Sequence, residues 1–321
     1  MKDMTYKAVM SRQNDIMRQS LGINYDDYER DGIVFDYEAM MRDVGITIDE
    51  VVQIQRDLGV GNTPLMDVKN VTALARKLSE PGYGARILIK DEAANPSGSF
   101  KARRAALSVW DAKRKGYKGV IAATSGNYGA AVASMAAKLG LKCIVLQECY
   151  DSELVGQPEI LEKQRKCEAF GAEVVQTTVG PELFYLALRM LEETGFYNAS
   201  LYSPSAIAGI ETLGYEIAQQ CRDEYGLVPA VVLATQAGGG NLTGTARGLL
   251  KAGLTDTKVY AASVDLSGLS MASDRDFNRK SFTTGHTGFG IPFASLPDRS
   301  DVPRNAARAL RYIDRYLLVR Q

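Results

Sequence analysis

From Ile87 onward the chain alternates short apolar runs with longer amphipathic stretches, and this alternation restricts the fold more than any other feature. Short apolar runs suit buried strands and amphipathic stretches suit one-sided helices; their regular succession builds a mostly parallel sheet with crossover helices. The strand candidates are Ile87 to Lys90, Gly119 to Ala123, Lys142 to Leu146, Glu173 to Gln176, Ala230 to Ala234 and Val259 to Ser263. The helix candidates between them lie near Lys101 to Lys115, Tyr128 to Leu139, Pro158 to Phe170, Pro181 to Glu193, Ala206 to Glu224 and Leu242 to Ala252. With 321 residues, 45% of them hydrophobic, the chain can bury the core of a one- or two-domain α/β protein. Met1 to Gly61 precedes the alternation, is rich in Asp, Arg, Met and Tyr, and carries a helix-like stretch at Asp49 to Leu58, so it is expected to form a helical extension.

Three glycine-rich segments fall where strands give way to helices, the place where open α/β sheets collect their ligands. In Asn95-Pro96-Ser97-Gly98-Ser99-Phe100-Lys101, small residues let another molecule approach the backbone while Phe100 anchors the turn. A lysine held there can form a Schiff base once deprotonated, which desolvation and a neighbouring cation such as Arg103 or Arg104 both favour. A solvated lysine at a helix start is the plainer alternative. Thr124-Ser125-Gly126-Asn127 opens the next helix, where unpaired amides and the positive dipole end suit a carboxylate, although a capped turn reads the same way. Gly238-Gly239-Gly240-Asn241 follows a strand, and its consecutive amides can wrap a phosphate or simply form a tight turn.

Other patterns narrow the field. Lys plus Arg and Asp plus Glu balance at 38 each, which gives no support to nucleic acid or a membrane surface as the main partner. Cys143, Cys149, Cys167 and Cys221 show no C-x-x-C spacing, so buried free thiols are expected and no metal site. No apolar run approaches membrane-span length and Met1 to Ser20 is polar, which points to a cytoplasmic protein. No G-x-G-x-x-G fingerprint or P-loop is present, which weakens nucleotide readings. His286 is the only histidine; it could help activate a thiol, but its neighbours Gly285 and Gly288 suit a positioning loop better. The cluster Lys113-Arg114-Lys115 reads as a solvated helix end rather than a coenzyme site.

Taken in order, the three segments resemble the fold type II family of pyridoxal-phosphate enzymes, which includes threonine synthase, the tryptophan synthase β subunit and cysteine synthase. The similarity spans roughly Gly61 to Ser263, and Asn62-Thr63-Pro64-Leu65 looks like the family's lead-in to the sheet. The resemblance implies two α/β domains with mostly parallel sheets and pyridoxal 5'-phosphate in the cleft between them. Residues 61–100 and 206–321 would form the larger, cofactor-binding domain, residues 101–205 the smaller one, and residues 1–60 the extension. Lys101 would carry the cofactor as an imine and Asn127 would hydrogen-bond its ring hydroxyl. Thr124, Ser125, Gly126 and Asn127 would hold the substrate carboxylate, and Gly238, Gly239, Gly240 and Asn241 the cofactor phosphate.

Within the family, the extension, the spelling SGSFKARRAA and the segment TGHTGFGIPFASLPDRSDVPRNAARALRY look most like the thiolase β subunits. These cleave 2-amino-4-oxopentanoate with coenzyme A to acetyl-CoA and alanine, and work with a smaller α subunit. Lys101 would be carrier and proton shuttle in that chemistry. A threonine-synthase-like replacement or a β-elimination is the alternative on the same scaffold, and a noncatalytic scaffold or partner subunit the alternative from another class. Only 80 residues follow Asn241, and no Gly/Ser-rich segment among them could face the pyridine nitrogen, so the larger domain is expected to be incomplete at its C-terminus.

Overall fold

The computed structural model describes residues 2–28, 30, 36–124, 126–150, 154–156, 158–178, 182–200, 203–236, 239–264 and 310–319. Four helices precede residue 61: α1 (Tyr6–Ser11), α2 (Gln13–Leu21), α3 (Tyr37–Val44) and α4 (Ile48–Asp57). The start of α4 is set by a capping box in which Thr47 accepts from the Glu50 amide and Glu50 accepts from the Thr47 amide. Strand β1 (Leu65–Asp67) pairs antiparallel with β2 (Leu88–Lys90) across helix α5 (Lys69–Leu78).

The alternation read from the sequence then unfolds as α6 (Lys101–Arg114), β3 (Gly119–Thr124), α7 (Asn127–Leu139), β4 (Lys142–Tyr150), α8 (Pro158–Ala169), β5 (Glu173–Thr178), α9 (Glu182–Thr194) and β6 (Tyr197–Asn198). Its four strands form a parallel sheet in the order β5-β4-β3-β6. Every residue of β3 is buried, as a parallel strand covered on both faces should be. A second parallel sheet, β7-β8-β9, is built from β7 (Val231–Thr235), β8 (Lys258–Val264) and β9 (Arg315–Val319). Helices α10 (Pro204–Tyr225) and α11 (Gly240–Lys251) belong to its core, where Ile210, Leu213, Leu242 and Leu249 pack with Ala234, Val259 and Ala261.

The elements expected from periodicity are present, with shifted ends. Helix α11 begins at Gly240 rather than near Leu242, because Gly239 takes a positive φ of 84° and turns the chain inside the glycine run. Strands β1 and β6 are two or three residues long and leave no readable alternation, and α5 buries only Thr72. The four cysteines are buried free thiols. The Lys113-Arg114-Lys115 cluster is tied into the fold: Lys113 donates to the Leu139 carbonyl, Arg114 pairs with Asp111 at 2.6 Å, and Lys115 donates to the Leu21 carbonyl at 2.6 Å. No helix among the described residues is long and apolar enough to cross a membrane.

Helix α10 is the spine that fixes the distances around the glycine segments. A Cβ added to Gly209 would lie 2.3 Å from the Arg103 carbonyl oxygen of α6. On the other side, Cβ atoms on Gly214 and Gly248 would each lie 1.9 Å from a backbone oxygen of the facing helix, Thr245 O and Glu211 O. Backbone-to-backbone approach of this kind needs glycine. The N-terminal extension backs the same spine. Gln55 of α4 is 2% exposed and its amide donates to Arg103 O at 3.0 Å and Gly209 O at 2.6 Å, while it accepts from the Thr212 hydroxyl at 2.6 Å.

Candidate active site

Lys101 is the first residue of α6, at the end of a turn held from several sides. Asn95 accepts from the Gly61 amide at 3.0 Å, and its side-chain amide donates to Glu92 Oε2 at 2.9 Å. Ser99 accepts from the Lys101 amide at 3.3 Å, and Lys166 of α8 reaches across to donate to the Ser97 carbonyl at 2.9 Å. Gly98 has a positive φ of 78°, which the reversal before α6 requires. The Lys101 ammonium lies 4.5 Å from the centroid of the Phe100 ring. Burial, reinforced by the neighbouring Arg104 guanidinium, pulls its pKa down to about 7.

The two arginines after Lys101 have different duties. Arg103 is fully buried and serves structure: it pairs with Glu92 at 2.7 Å and with Glu216 at 3.0 Å. Glu216 also accepts from the Asn62 amide at 3.0 Å, the Thr63 amide at 2.8 Å and the Lys90 ammonium. The paired cations Arg103 and Lys90 hold its carboxyl below the usual range against the opposing push of burial. This network fastens the segment before β1, and through Glu92 the Asn95 turn, to α10. Arg104, one residue on, is the cation that Lys101 feels.

Thr124 ends β3, Gly126 is the N-cap of α7 and Asn127 its first residue. Thr124 Oγ1 accepts from the Gly126 amide at 3.0 Å, folding the turn back on itself. Close packing of α7 on the sheet depends on Gly129, whose added Cβ would meet Thr124 Cγ2 and Val145 Cγ1 at 2.8 Å. Gly239 is the N-cap of α11, and Gly240 and Asn241 open that helix. Neither α7 nor α11 has a side-chain cap, whereas Ser203 caps α10 and Asp36 caps α3. Helices α1, α2 and α5 also lack one, so the point lies in what surrounds these two starts.

Arg104 brings the three segments to one place. Its guanidinium carbon is 5.2 Å from the centroid of the Tyr128 ring, in the first turn of α7. Its Nη1 stands 3.4 Å from where a Cβ on Gly240 would sit, at the start of α11. Residues Ser125, Gly238 and His286 lie outside the described residues, so their expected roles are not placed.

Buried side-chain atoms without a hydrogen-bond partner among the described residues mark the same region. They include Ser97 Oγ in the turn before α6, Tyr128 Oη in α7, and Gln236 Oε1 and Asn241 Oδ1 on either side of the bend before α11. Burial pushes the Tyr128 phenol up, against the easing effect of the Arg104 guanidinium and of Ser108. Orphaned polar atoms are costly unless a ligand or water meets them. Together with an amine whose pKa is drawn down to about 7 and an uncapped helix start, they fit pyridoxal phosphate: an aldehyde to bond, a ring with polar substituents, and an anionic tail. Ser97 and Tyr128 stand within the glycine-rich segments but no role for them is readable there, and Gln236 carries no sequence signal. Ser97 stands within the quoted turn, but nothing in residue spacing distinguishes a buried unpaired hydroxyl from a solvated one.

Comparison with known proteins follows the same line. The family described as "Pyridoxal-phosphate dependent enzyme" matches residues 56–320. The chain is 67% identical over 320 residues to the 2-amino-4-ketopentanoate thiolase beta subunit of Acetoanaerobium sticklandii, covering 100% of this chain and 68% of that protein. It is 31% identical over 188 residues to the threonine synthase of Halalkalibacterium halodurans, covering 58% of this chain and 48% of that one. Among solved structures, the threonine deaminase of T.th. superposes with a TM-score of 0.62 at 26% identity, covering 86% of this chain and 82% of the other.

Proposed function

The chain belongs to the pyridoxal-phosphate dependent enzymes, and from that premise we propose that it is the cofactor-bearing β subunit of a thiolase. Its substrates are 2-amino-4-oxopentanoate and coenzyme A, and its products are acetyl-CoA and alanine. The observation that carries the reading is Lys101, a lysine whose pKa is drawn down to about 7 beside two uncapped helix starts. The likeness along the whole chain to a thiolase β subunit then chooses among the reactions such a lysine supports.

Each group of residues has a task. Lys101, its pKa drawn down to about 7, would hold the cofactor aldehyde and would take and return the proton at the substrate's Cα. The amides of Gly239, Gly240 and Asn241 would receive the phosphate at the dipole end of α11. Thr124, Gly126 and Asn127 would offer the start of α7 to the substrate carboxylate, and Asn127 would also bond the ring hydroxyl. Pyridoxal phosphate, when bound, supplies a conjugated ring that draws electrons from the bonds at Cα. In the net reaction the C3–C4 bond breaks, the acetyl group passes to the thiol sulfur, and the thiol proton is balanced by the one gained at C3.

The name of the relatives, a beta subunit, implies an α-subunit partner. A cytoplasmic location suits a coenzyme A-dependent step. The test is to supply 2-amino-4-oxopentanoate and coenzyme A to the purified protein with and without a smaller partner subunit. Acetyl-CoA formation that disappears in Lys101→Ala is expected; turnover of phosphohomoserine or serine with no acetyl-CoA would reject the thiolase in favour of a lyase.

A further inference from the structure

We propose that Arg104 is a side-chain ligand of the cofactor's phosphate, acting with the glycine amides and giving this site a selectivity for phosphorylated over unphosphorylated aldehydes. The inference rests on the reading that the start of α11 receives that phosphate. Four observations place Arg104 there.

First, it follows Lys101 by three residues on α6, so the two side chains share a face of the helix. Second, it is 2% exposed, and a guanidinium remains charged in any protein environment. Third, its Nη1 and Cζ lie 3.4 Å and 3.6 Å from the position of a Cβ on Gly240, which sets the guanidinium against the first turn of α11. Fourth, Tyr128 (1% exposed), against the guanidinium, and Gln236 (5% exposed), at the end of the strand that leads to α11, each carry an oxygen without a hydrogen-bond partner among the described residues.

The electrostatics favour one ligand class. The positive end of α11, the guanidinium and the Lys101 amine converge, and a cation beside a helix N-terminus is the unfavourable arrangement for both. A dianionic phosphate monoester reverses the sign of each of these contacts, and the planar fork of Arg matches two phosphate oxygens at once. The Tyr128 ring, 5.2 Å from the guanidinium carbon, helps hold the fork in place.

The experiment measures dissociation constants of the full chain for pyridoxal phosphate and for pyridoxal, by titrating the visible absorbance of the lysine adduct. The ratio of the two is compared in wild type, Arg104→Gln and Arg104→Lys. Loss of a charge-assisted hydrogen bond predicts that Arg104→Gln lowers the preference for pyridoxal phosphate by about ten- to a hundredfold, while the change in Lys101 ionisation is common to both aldehydes and cancels in the ratio. Arg104→Lys should fall between, with inorganic phosphate competing several-fold less well than in wild type, because a point charge replaces the fork. An unchanged ratio in a folded Arg104→Gln protein overturns the proposal. If Arg104→Gln does not fold, unchanged competition by inorganic phosphate in Arg104→Lys overturns it. Failure of the wild-type protein to form any adduct with pyridoxal phosphate would instead remove the underlying reading of the site.

Discussion

Replacing Gly214 by Ala tests whether the α10–α11 contact sets the geometry of the phosphate loop. A Cβ there would lie 1.9 Å from Thr245 O and 2.8 Å from Leu249 N, both backbone atoms of α11 that cannot swing aside. Tight contact begins at about 3.4 Å, so the helices must part by about 1.5 Å, the difference between 3.4 and 1.9. Two effects oppose each other. Alanine is the better helix former by about 1 kcal/mol. Forcing an extra carbon into a packed seam typically costs about 1–3 kcal/mol, and an obstruction made of backbone belongs at the upper end or beyond it. Overpacking therefore wins, with a net loss of roughly 2 kcal/mol expected from these two ranges. The same displacement carries Gly240 away from Arg104, so affinity for pyridoxal phosphate should fall as well. Urea unfolding followed by far-ultraviolet circular dichroism reads the first effect as a lower midpoint at unchanged slope. A Gly214→Ala protein as stable as wild type, with unaltered cofactor affinity, would refute the claim that this seam positions the loop.

Three further outcomes follow from the side chains around the site. The Lys101 amine, with its pKa near 7, should react with pyridoxal at a rate that rises through neutral pH and levels off about one unit above it, because the neutral form is the nucleophile; an inflection near the ordinary lysine value would contradict the burial argument. Burying its ammonium disfavours the folded state, so this penalty is complete below pH 7 and is relieved as pH rises from the folded to the unfolded pKa. Glu216→Gln should cost roughly 3 kcal/mol in urea unfolding, the low end for breaking a buried pair, because Glu216 is 17% exposed. Since the Glu216 pKa is lowered on folding, its contribution is present above the ordinary carboxylate range and is lost on acidification below it; a wild-type protein whose stability is flat across that acid range would argue against it. Gln55→Ala removes the donors to Arg103 O and Gly209 O and should cost about 1–3 kcal/mol, measured in the same way.

The sequence made the scaffold legible because parallel sheets write themselves as apolar runs, and β3 through β8 are recovered by that pattern, the two-residue β6 excepted. Lys101, Asn127 and Gly240 each open a helix, in or beside glycine segments whose sequence served a tight turn as readily as a ligand. Arg103 and Arg104 differ in ways that residue order does not carry. Adjacent in sequence and equal in type, they project to different sides of α6, one into the carboxylates of Glu92 and Glu216 and the other toward Tyr128 and Gly240. Either could have been the cation that lowers the Lys101 pKa; only the packing of α10 and α11 against α6 separates them. The role of Gln55 was equally hidden, since its partners are backbone carbonyls 48 and 154 residues away.

The central claim is that Lys101 bonds the cofactor aldehyde. The direct measurement is borohydride reduction of the protein loaded with pyridoxal phosphate, followed by digestion and mass mapping of the labelled peptide. The account predicts a phosphopyridoxyl group on Lys101, in the peptide that carries Ser97-Gly98-Ser99-Phe100. A label on Lys90, Lys163 or Lys166 with Lys101 unmodified would contradict it.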